Sequence, residues 1–238
     1  MNTDEILKGL NKEQFEAVTH VDGPLLVIAG AGSGKTRVLT HRIAYLIAEC
    51  NVKPWNVIAI TFTNKAAKEM KERIEKIVGD MAKDMWVGTF HSMCVRILRR
   101  EIEKIGYGKD FIIFDTADTK VVVKECIKEL NLDEKLYNDK YLLSEISKAK
   151  NDMMDPERYA NLYASDYRLS KVASVYDLYQ KKLKKNNAVD FDDIINNTIE
   201  VFNKNPDVLD YYREKFKYIL VDEYQDTNKA QDMLISLL

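Results

Sequence analysis

The 238-residue sequence has few cysteines, glycines and prolines, and it carries almost no excess of either charge. Cys50, Cys94 and Cys126 lie far apart without a CxxC pair, which argues against a disulfide framework and against a zinc site. Lysine and arginine number 36 against 38 aspartates and glutamates, so a net charge of -2 provides no overall attraction to nucleic acid or to an acidic membrane surface. Any contact with DNA therefore requires a local patch.

Long apolar runs are also missing from the sequence. No stretch approaches the roughly 18 to 20 apolar residues that cross a bilayer, and the opening MNTDEILKGLNKEQ is polar and acidic. We therefore expect a cytoplasmic protein without a membrane partner. The hydrophobic content of 46% is sufficient for a full core, and the length suits one large domain or one domain that carries an insertion.

Secondary structure is predicted from hydrophobic periodicity, because only 9 glycines and 4 prolines interrupt the chain. Short apolar runs typical of strands buried on both faces of a parallel sheet occur at Leu25–Ala29, Val57–Phe62, Trp86–Thr89 and Tyr218–Val221. Helical spacing follows the first three runs, over 35–49, over 65–78 and on through 105. This alternation predicts an α/β fold with a parallel sheet flanked by helices.

Residues 120–130, 141–150 and 169–185 have helical hydrophobic spacing, and no apolar run typical of a buried strand separates them. We therefore predict a sheet domain in two parts, residues 1–109 and 187–238, separated by a mainly helical insertion at 110–186. Tyrosines and a lysine cluster at 181–185 fit a helical core with a solvated face.

A phosphate-binding loop is predicted where the first strand meets its helix. AGAGSGKT matches the P-loop pattern, except that Ala29 replaces the first glycine. The loop residues whose backbone would surround phosphates are Ala29, Gly30, Ala31, Gly32, Ser33 and Gly34. Lys35 would reach the β and γ phosphates, and the Thr36 hydroxyl would bind Mg²⁺.

An acidic pair ends the last predicted strand, in the segment YILVDE. Asp222 could hold Mg²⁺ and Glu223 could take a proton from the water that attacks ATP. Acidic residues at a strand end often cap a helix instead, but the P-loop makes the nucleotide interpretation the stronger one. The sequence therefore predicts a protein that binds ATP with Mg²⁺.

Six segments, in this order, resemble the front half of UvrD/Rep/PcrA-type superfamily 1 DNA helicases: LNKEQ, AGAGSGKTRVLT, AITFTNKAAKEM, VGTFHS, VDFDD and ILVDEYQDTN. The match covers essentially the whole chain. The resemblance implies a RecA-like ATP-binding domain with a helical insertion. It also implies ATP-driven 3′ to 5′ translocation on single-stranded DNA, with unwinding at single-strand/duplex junctions during replication or repair.

The resemblance also implies roles for individual residues. Gln14 matches the glutamine that reads the adenine edge, and Arg37 matches a residue beside the nucleotide. Gln225 matches a position that senses the γ-phosphate region and couples it to DNA. Gln14 and Arg37 each have a plainer interpretation as an exposed polar side chain of a helix.

Two predicted strand ends carry the residues that the resemblance assigns to DNA binding. They are Thr61, Phe62, Thr63 and Asn64 after one strand, and Thr89, Phe90 and His91 after the next. Phe62 could stack on a base, or it could be a core side chain. VDFDD could suggest a metal cluster, but an acidic helix start is the favoured interpretation, and the resemblance makes it a structural motif bordering the DNA path.

Two alternatives remain open beside the helicase hypothesis. One is a helicase-nuclease subunit, and the other is a module that binds nucleotide and DNA, or docks on repair proteins, without turnover. Replication or repair proteins are expected partners. The resemblance further implies a second RecA-like domain of the same polypeptide beyond residue 238, which would supply catalytic arginines. We therefore expect an N-terminal fragment with little activity by itself.

Overall fold

A computed structural model describes residues 3–238 of the chain, which contain twelve α-helices and five strands. In order these are α1 (Thr3–Leu7), α2 (Lys12–Thr19), α3 (Lys35–Ala48), β1 (Val57–Thr61), α4 (Asn64–Val78), β2 (Trp86–Thr89), α5 (Phe90–Glu101), β3 (Ile112–Ile113), α6 (Thr116–Glu129), α7 (Asp139–Asn151), α8 (Pro156–Leu162), α9 (Tyr167–Lys185), β4 (Ala188–Val189), α10 (Phe191–Lys204), α11 (Pro206–Lys215), β5 (Tyr218–Val221) and α12 (Lys229–Leu237). Short 3₁₀ turns occupy Pro54–Asn56, Gly79–Asp84, Ile102–Ile105 and Tyr224–Asp226.

The chain divides into two compact units. The first comprises the described residues up to Met93, together with Asp210–Asp226 and Leu238. The second comprises Cys94–Leu209 and Thr227–Leu237.

A parallel three-stranded sheet in the order β2-β1-β5 forms the centre of the first unit. Ile58 pairs with Trp86 on one side and with Ile219 on the other, and all five residues of β1 are buried. Helices α3 and α4 cover the sheet through apolar side chains that include Ile43, Met70 and Ile74. The prediction of a mixed α/β fold with a parallel sheet flanked by helices is confirmed.

The predicted strand at Leu25–Ala29 is wrong. These residues are irregular and pair with no strand of the described chain, and Leu26 and Ile28 are 69% and 89% exposed. Periodicity detects apolar composition, whereas a strand requires a neighbour that accepts its backbone hydrogen bonds. In the described chain, β5 is therefore an edge strand of this sheet and does not pair with Leu25–Ala29.

The second unit is mainly helical. Its core contains buried residues of α6, α7, α8 and α9, among them Tyr159, Tyr176 and Tyr179, which confirms that tyrosines pack this core. Helix α8 was not predicted from periodicity; it begins at Pro156 behind the cap residue Asp155. Strands β3 and β4 form a short parallel pair in the same unit.

Candidate nucleotide site and strand-end surface

The loop before α3 has the backbone shape that its glycines allow. Gly32 and Gly34 have φ values of 77° and 87°, in the left-handed region that favours glycine. The Ser33 hydroxyl donates to the Gly30 carbonyl over 2.7 Å and closes the turn. The loop leads directly into Lys35, the first residue of a 14-residue helix, whose N-terminal N–H groups and dipole favour an anion.

The ammonium of Lys35 folds back over this loop. Its Nζ lies 3.2 Å from the carbonyl oxygen of Ala29 and 3.4 Å from that of Gly30. The only full positive charge contributed by the loop motif is thereby held beside its backbone, where it can pair with a phosphate.

Thr36 and Asp222 come together at the start of α3. The Thr36 hydroxyl donates to Oδ2 of Asp222 over 3.3 Å. Partial burial raises the pKa of the Asp222 carboxyl, and the charge of Glu223 adds to this, while the hydrogen bond from Thr36 opposes it. A hydroxyl and a carboxylate are oxygen ligands of the kind that Mg²⁺ accepts alongside phosphates and waters, so this pair fits the ion.

Glu223 follows Asp222 in an unusual backbone conformation. Its φ is 53°, although it is not glycine, and non-glycine residues held in this region cluster at functional sites. The Gln225 side-chain amide donates to the Glu223 carboxylate. The structure therefore brings together the two residues assigned to water activation and γ-phosphate sensing.

Gln14 lies against the phosphate loop. Its Nε2 donates to the Ser33 carbonyl over 2.9 Å, and its own Oε1 accepts from the backbone of Asn11, which caps α2. The Arg37 guanidinium instead points to the end of α1, where it donates to the Lys8 carbonyl over 3.3 Å.

Arg42 was missed by sequence reasoning. Its Nη1 donates to the Ala17 carbonyl over 3.0 Å and also to the carbonyl of His20, so it binds the C-terminal end of α2 to α3. Burial lowers the pKa of this guanidinium. Helix α2 is thus fixed at both ends, by Gln14 on the loop and by Arg42. An arginine in a helix gives no sequence signal of this role.

The two strand ends assigned to DNA lie next to each other, because Thr61 of β1 pairs with Thr89 of β2. Phe62 is half-buried and packs edge-to-face on Phe90, with ring centroids 5.5 Å apart. Thr63 caps α4 by accepting from Ala66 N over 3.1 Å, and Asn64 is exposed.

Three residues of the assigned set are covered in this structure. Phe90 is 1% exposed, Thr61 is 1% exposed and Thr89 is 8% exposed. They leave little surface for a ligand in this structure, because Phe90 packs against Phe62 and both threonines end buried strands. The exposed or half-exposed members are Phe62, Thr63, Asn64 and His91.

VDFDD begins α10, as the acidic helix-start interpretation predicts. Asp190 and Asp193 form a reciprocal capping box, and both are buried. Lys150, which sequence reasoning missed, lies between them with Nζ 2.6 Å from Asp190 and 2.7 Å from Asp193. Within residues 3–238, no group of three or more acidic, histidine or cysteine side chains is placed to hold a metal ion.

Known proteins are similar to this chain along almost its whole length. Residues 10–238 match the UvrD/REP helicase N-terminal domain. The chain is 57% identical over 236 residues to the ATP-dependent DNA helicase PcrA of Bacillus subtilis, a match that covers 99% of this chain and 32% of that protein. It is 55% identical over 233 residues, 98% of this chain and 32% of the relative, to the protein of the same name from Staphylococcus aureus strain Mu50.

The chain therefore spans about a third of the length of these relatives. No helix in residues 3–238 is both long enough and apolar enough to cross a membrane. The match over 10–238 establishes the family: this chain belongs to the UvrD/REP helicase N-terminal domain family.

Proposed function

We propose that this chain is the RecA-like ATP-binding part of a cytoplasmic ATP-dependent DNA helicase that moves 3′ to 5′ on single-stranded DNA. The observation that carries the proposal is the contact between Thr36 and Asp222 beside the loop that holds Lys35. Residues far apart in the sequence thus provide, at one place, a cation for phosphates and two oxygen ligands for Mg²⁺.

Each residue then has a distinct task. Lys35 pairs with the β and γ phosphates, and the backbone of 29–34 surrounds them. Thr36 and Asp222 would hold Mg²⁺, which would supply positive charge to the phosphates. Glu223 accepts a proton from the attacking water, and the amide of Gln225 orients its carboxylate.

Selectivity for adenine is assigned to Gln14, whose amide carries both donors and an acceptor. Its contact with the Ser33 carbonyl supports this assignment, because it holds the amide beside the phosphate loop. We include Arg37 in the nucleotide site on the resemblance alone, since its guanidinium contacts the carbonyl of Lys8.

Single-stranded DNA is proposed to bind across the ends of β1 and β2. Phe62 would stack on a base, while Thr63, Asn64 and His91 would contact the sugar-phosphate backbone without reading the sequence. Phe90, Thr61 and Thr89 would support this surface from below.

Strand displacement by the full-length protein tests the proposal. Duplexes with a 3′ or a 5′ single-stranded tail are incubated with ATP, and the freed strand is measured. We expect displacement of the 3′-tailed substrate only, and none when ATP is replaced by a non-hydrolysable analogue. Unwinding from the 5′ tail alone would overturn the direction. Shortened strands would favour a helicase-nuclease, and ATP binding without turnover would favour a non-catalytic module.

A further inference from the structure

A second exposed surface lies at the N-terminal ends of the strands, whereas the nucleotide residues lie at their C-terminal ends. The turn Pro54–Asn56 leads into β1, and Lys217 precedes β5. Val57 pairs with Tyr218 in a parallel ladder, so β1 and β5 begin on the same side of the sheet. Thr61 and Asp222 lie on the other side, where these strands end. This surface is therefore outside the site described above.

Two exposed aromatic side chains border a shallow cleft there. Trp55 and Tyr211 are each 50% exposed, and Asn56, Glu214 and Lys215 line the cleft with them. Aromatic side chains with an apolar body and a polar tip are enriched in protein interfaces, where they often contribute most of the binding energy. We call this set of five residues the Trp55 cleft.

A hydrogen bond and packed aromatic rings support the residues of the cleft. The Asn56 side-chain amide donates to the Lys215 carbonyl over 2.7 Å and joins the two segments. Beneath them, the rings of Trp86 and Phe216 meet edge-to-face at 5.0 Å. The Lys215 ammonium lies 4.9 Å from the Trp86 ring. These contacts fix the backbone that carries the cleft, so ordering that backbone adds little to the entropy cost when a partner binds.

Three lysines lie in the cleft or beside it in the sequence. Lys215 lines it, Lys53 begins the turn that carries Trp55, and Lys217 directly precedes β5. None of these three lysines forms an ion pair within residues 3–238, and Glu214 is the single acidic residue in the lining. An acidic partner could therefore pair with ammonium groups that form no ion pair within the described chain.

We propose that the Trp55 cleft docks an acidic peptide segment of another protein, with an apolar or aromatic side chain of that segment against Trp55 and Tyr211. A peptide fits better than single-stranded nucleic acid. The Glu214 carboxylate can accept a hydrogen bond from a peptide N–H, whereas a sugar-phosphodiester backbone offers no donor.

Fluorescence of the 238-residue chain tests this docking. The probe is a short peptide of alternating aspartate and phenylalanine labelled with fluorescein; alternating lysine-phenylalanine and aspartate-serine peptides are the matched controls. We expect saturable binding of the first peptide alone, with weaker binding as salt rises. The emission of Trp55 should shift to shorter wavelength, because the other tryptophan, Trp86, is already buried.

Variants locate the binding. Trp55→Ala should weaken affinity at least about tenfold, as expected for an aromatic anchor, whereas Tyr167→Ala, which removes an exposed tyrosine of the second unit, should leave it unchanged. Lys53→Glu should weaken the peptide affinity several-fold. Lys68→Glu, which changes an exposed lysine of α4, should leave the affinity unchanged.

The outcomes are distinct. The proposal would be overturned if the aspartate-phenylalanine peptide did not bind. It would also be overturned if Lys53→Glu and Lys68→Glu lowered the peptide affinity equally. Displacement of the peptide by oligothymidylate would identify a nucleic-acid surface instead. If a longer polypeptide that contains this chain does not bind the peptide, the cleft is covered by its own chain and the proposed occupant is wrong.

Discussion

The hydroxyl of Thr36 lies 3.3 Å from Oδ2 of Asp222, although 186 positions separate the two residues in the sequence. The contact joins the start of α3 to the end of β5 within one compact unit. It gives the proposed Mg²⁺ site a hydroxyl and a carboxylate without any larger cluster of acidic residues.

Changes at Thr36 test this metal site. Thr36→Val keeps the shape of the side chain but removes the oxygen ligand, and we expect the Mg²⁺ affinity of the ATP complex to fall at least about tenfold. Thr36→Ser retains the hydroxyl and should behave like the unchanged chain. Nucleotide binding is measured by calorimetry with Mg²⁺ and with a chelator. Equal behaviour of the valine and serine variants would remove Thr36 from the site.

Glu223→Gln tests the proposed base. The amide cannot accept a proton at neutral pH, so ATP hydrolysis by the full-length protein should slow by about 10² to 10⁴-fold while ATP affinity is retained. Steady-state turnover and equilibrium binding are measured separately. Parallel loss of both quantities would mean that Glu223 holds the nucleotide or the fold rather than the water.

Phe62→Ala tests the DNA surface. We expect the full-length protein to bind single-stranded DNA more weakly by about 1 to 3 kcal/mol, with little dependence on base sequence, because stacking accepts any base. Phe62→Tyr retains the ring and is the matched control. Fluorescence anisotropy measures the affinity. Unchanged binding by Phe62→Ala, with folding intact, would exclude stacking by this ring.

Phe90→Ala should behave differently from Phe62→Ala. Because Phe90 is almost fully buried and packs against Phe62, we expect its truncation to lower the free energy of unfolding by about 3 to 5 kcal/mol. Urea denaturation of the 238-residue chain measures this. A fully stable Phe90→Ala variant with weakened DNA binding would restore Phe90 to the DNA-contacting set.

The buried group of Lys150, Asp190 and Asp193 makes stability depend on pH. Burial, together with the charge of Asp190, raises the pKa of Asp193 to about 6, against the attraction of Lys150. Between about pH 6 and pH 4, this carboxyl is protonated in the native state but ionised in the unfolded chain. Its contribution therefore increases the free energy of unfolding as pH falls through 6.

Asp193→Asn isolates that contribution, because an amide does not titrate. The difference in unfolding free energy between the unchanged chain and the variant should shift by about 1 kcal/mol in favour of the unchanged chain from pH 7 to pH 5. Urea denaturation at both pH values measures it. A difference that is the same at both would mean that Asp193 keeps its ordinary pKa.

Periodicity and motifs predicted the parts of this chain that are local in sequence. Helix α3, strand β1 and the position of the phosphate loop followed directly from apolar spacing and from AGAGSGKT. What they could not predict depends on partners distant in the chain. Leu25–Ala29 is apolar enough for a strand but has no neighbour in the described structure, and the burial of Phe90 depends on packing from other elements.

Lys150 illustrates the same limit inside the second unit. A lysine on an amphipathic helix is ordinarily solvated, yet this one is 1% exposed, since two carboxylates of α10's capping box surround its ammonium. The acidic segment was visible in the sequence, but the cation that it pairs with lies 40 positions earlier.

Calorimetric titration of the 238-residue chain with ATP and Mg²⁺ tests the central claim most directly, when it is paired with Lys35→Ala. The phosphate loop, Thr36 and Asp222 all lie in this chain, so we expect one nucleotide to bind, and we expect the alanine variant to lose most of that affinity because the cation facing the phosphates is gone. Equal affinity of the two proteins, both folded, would contradict the assignment of the P-loop.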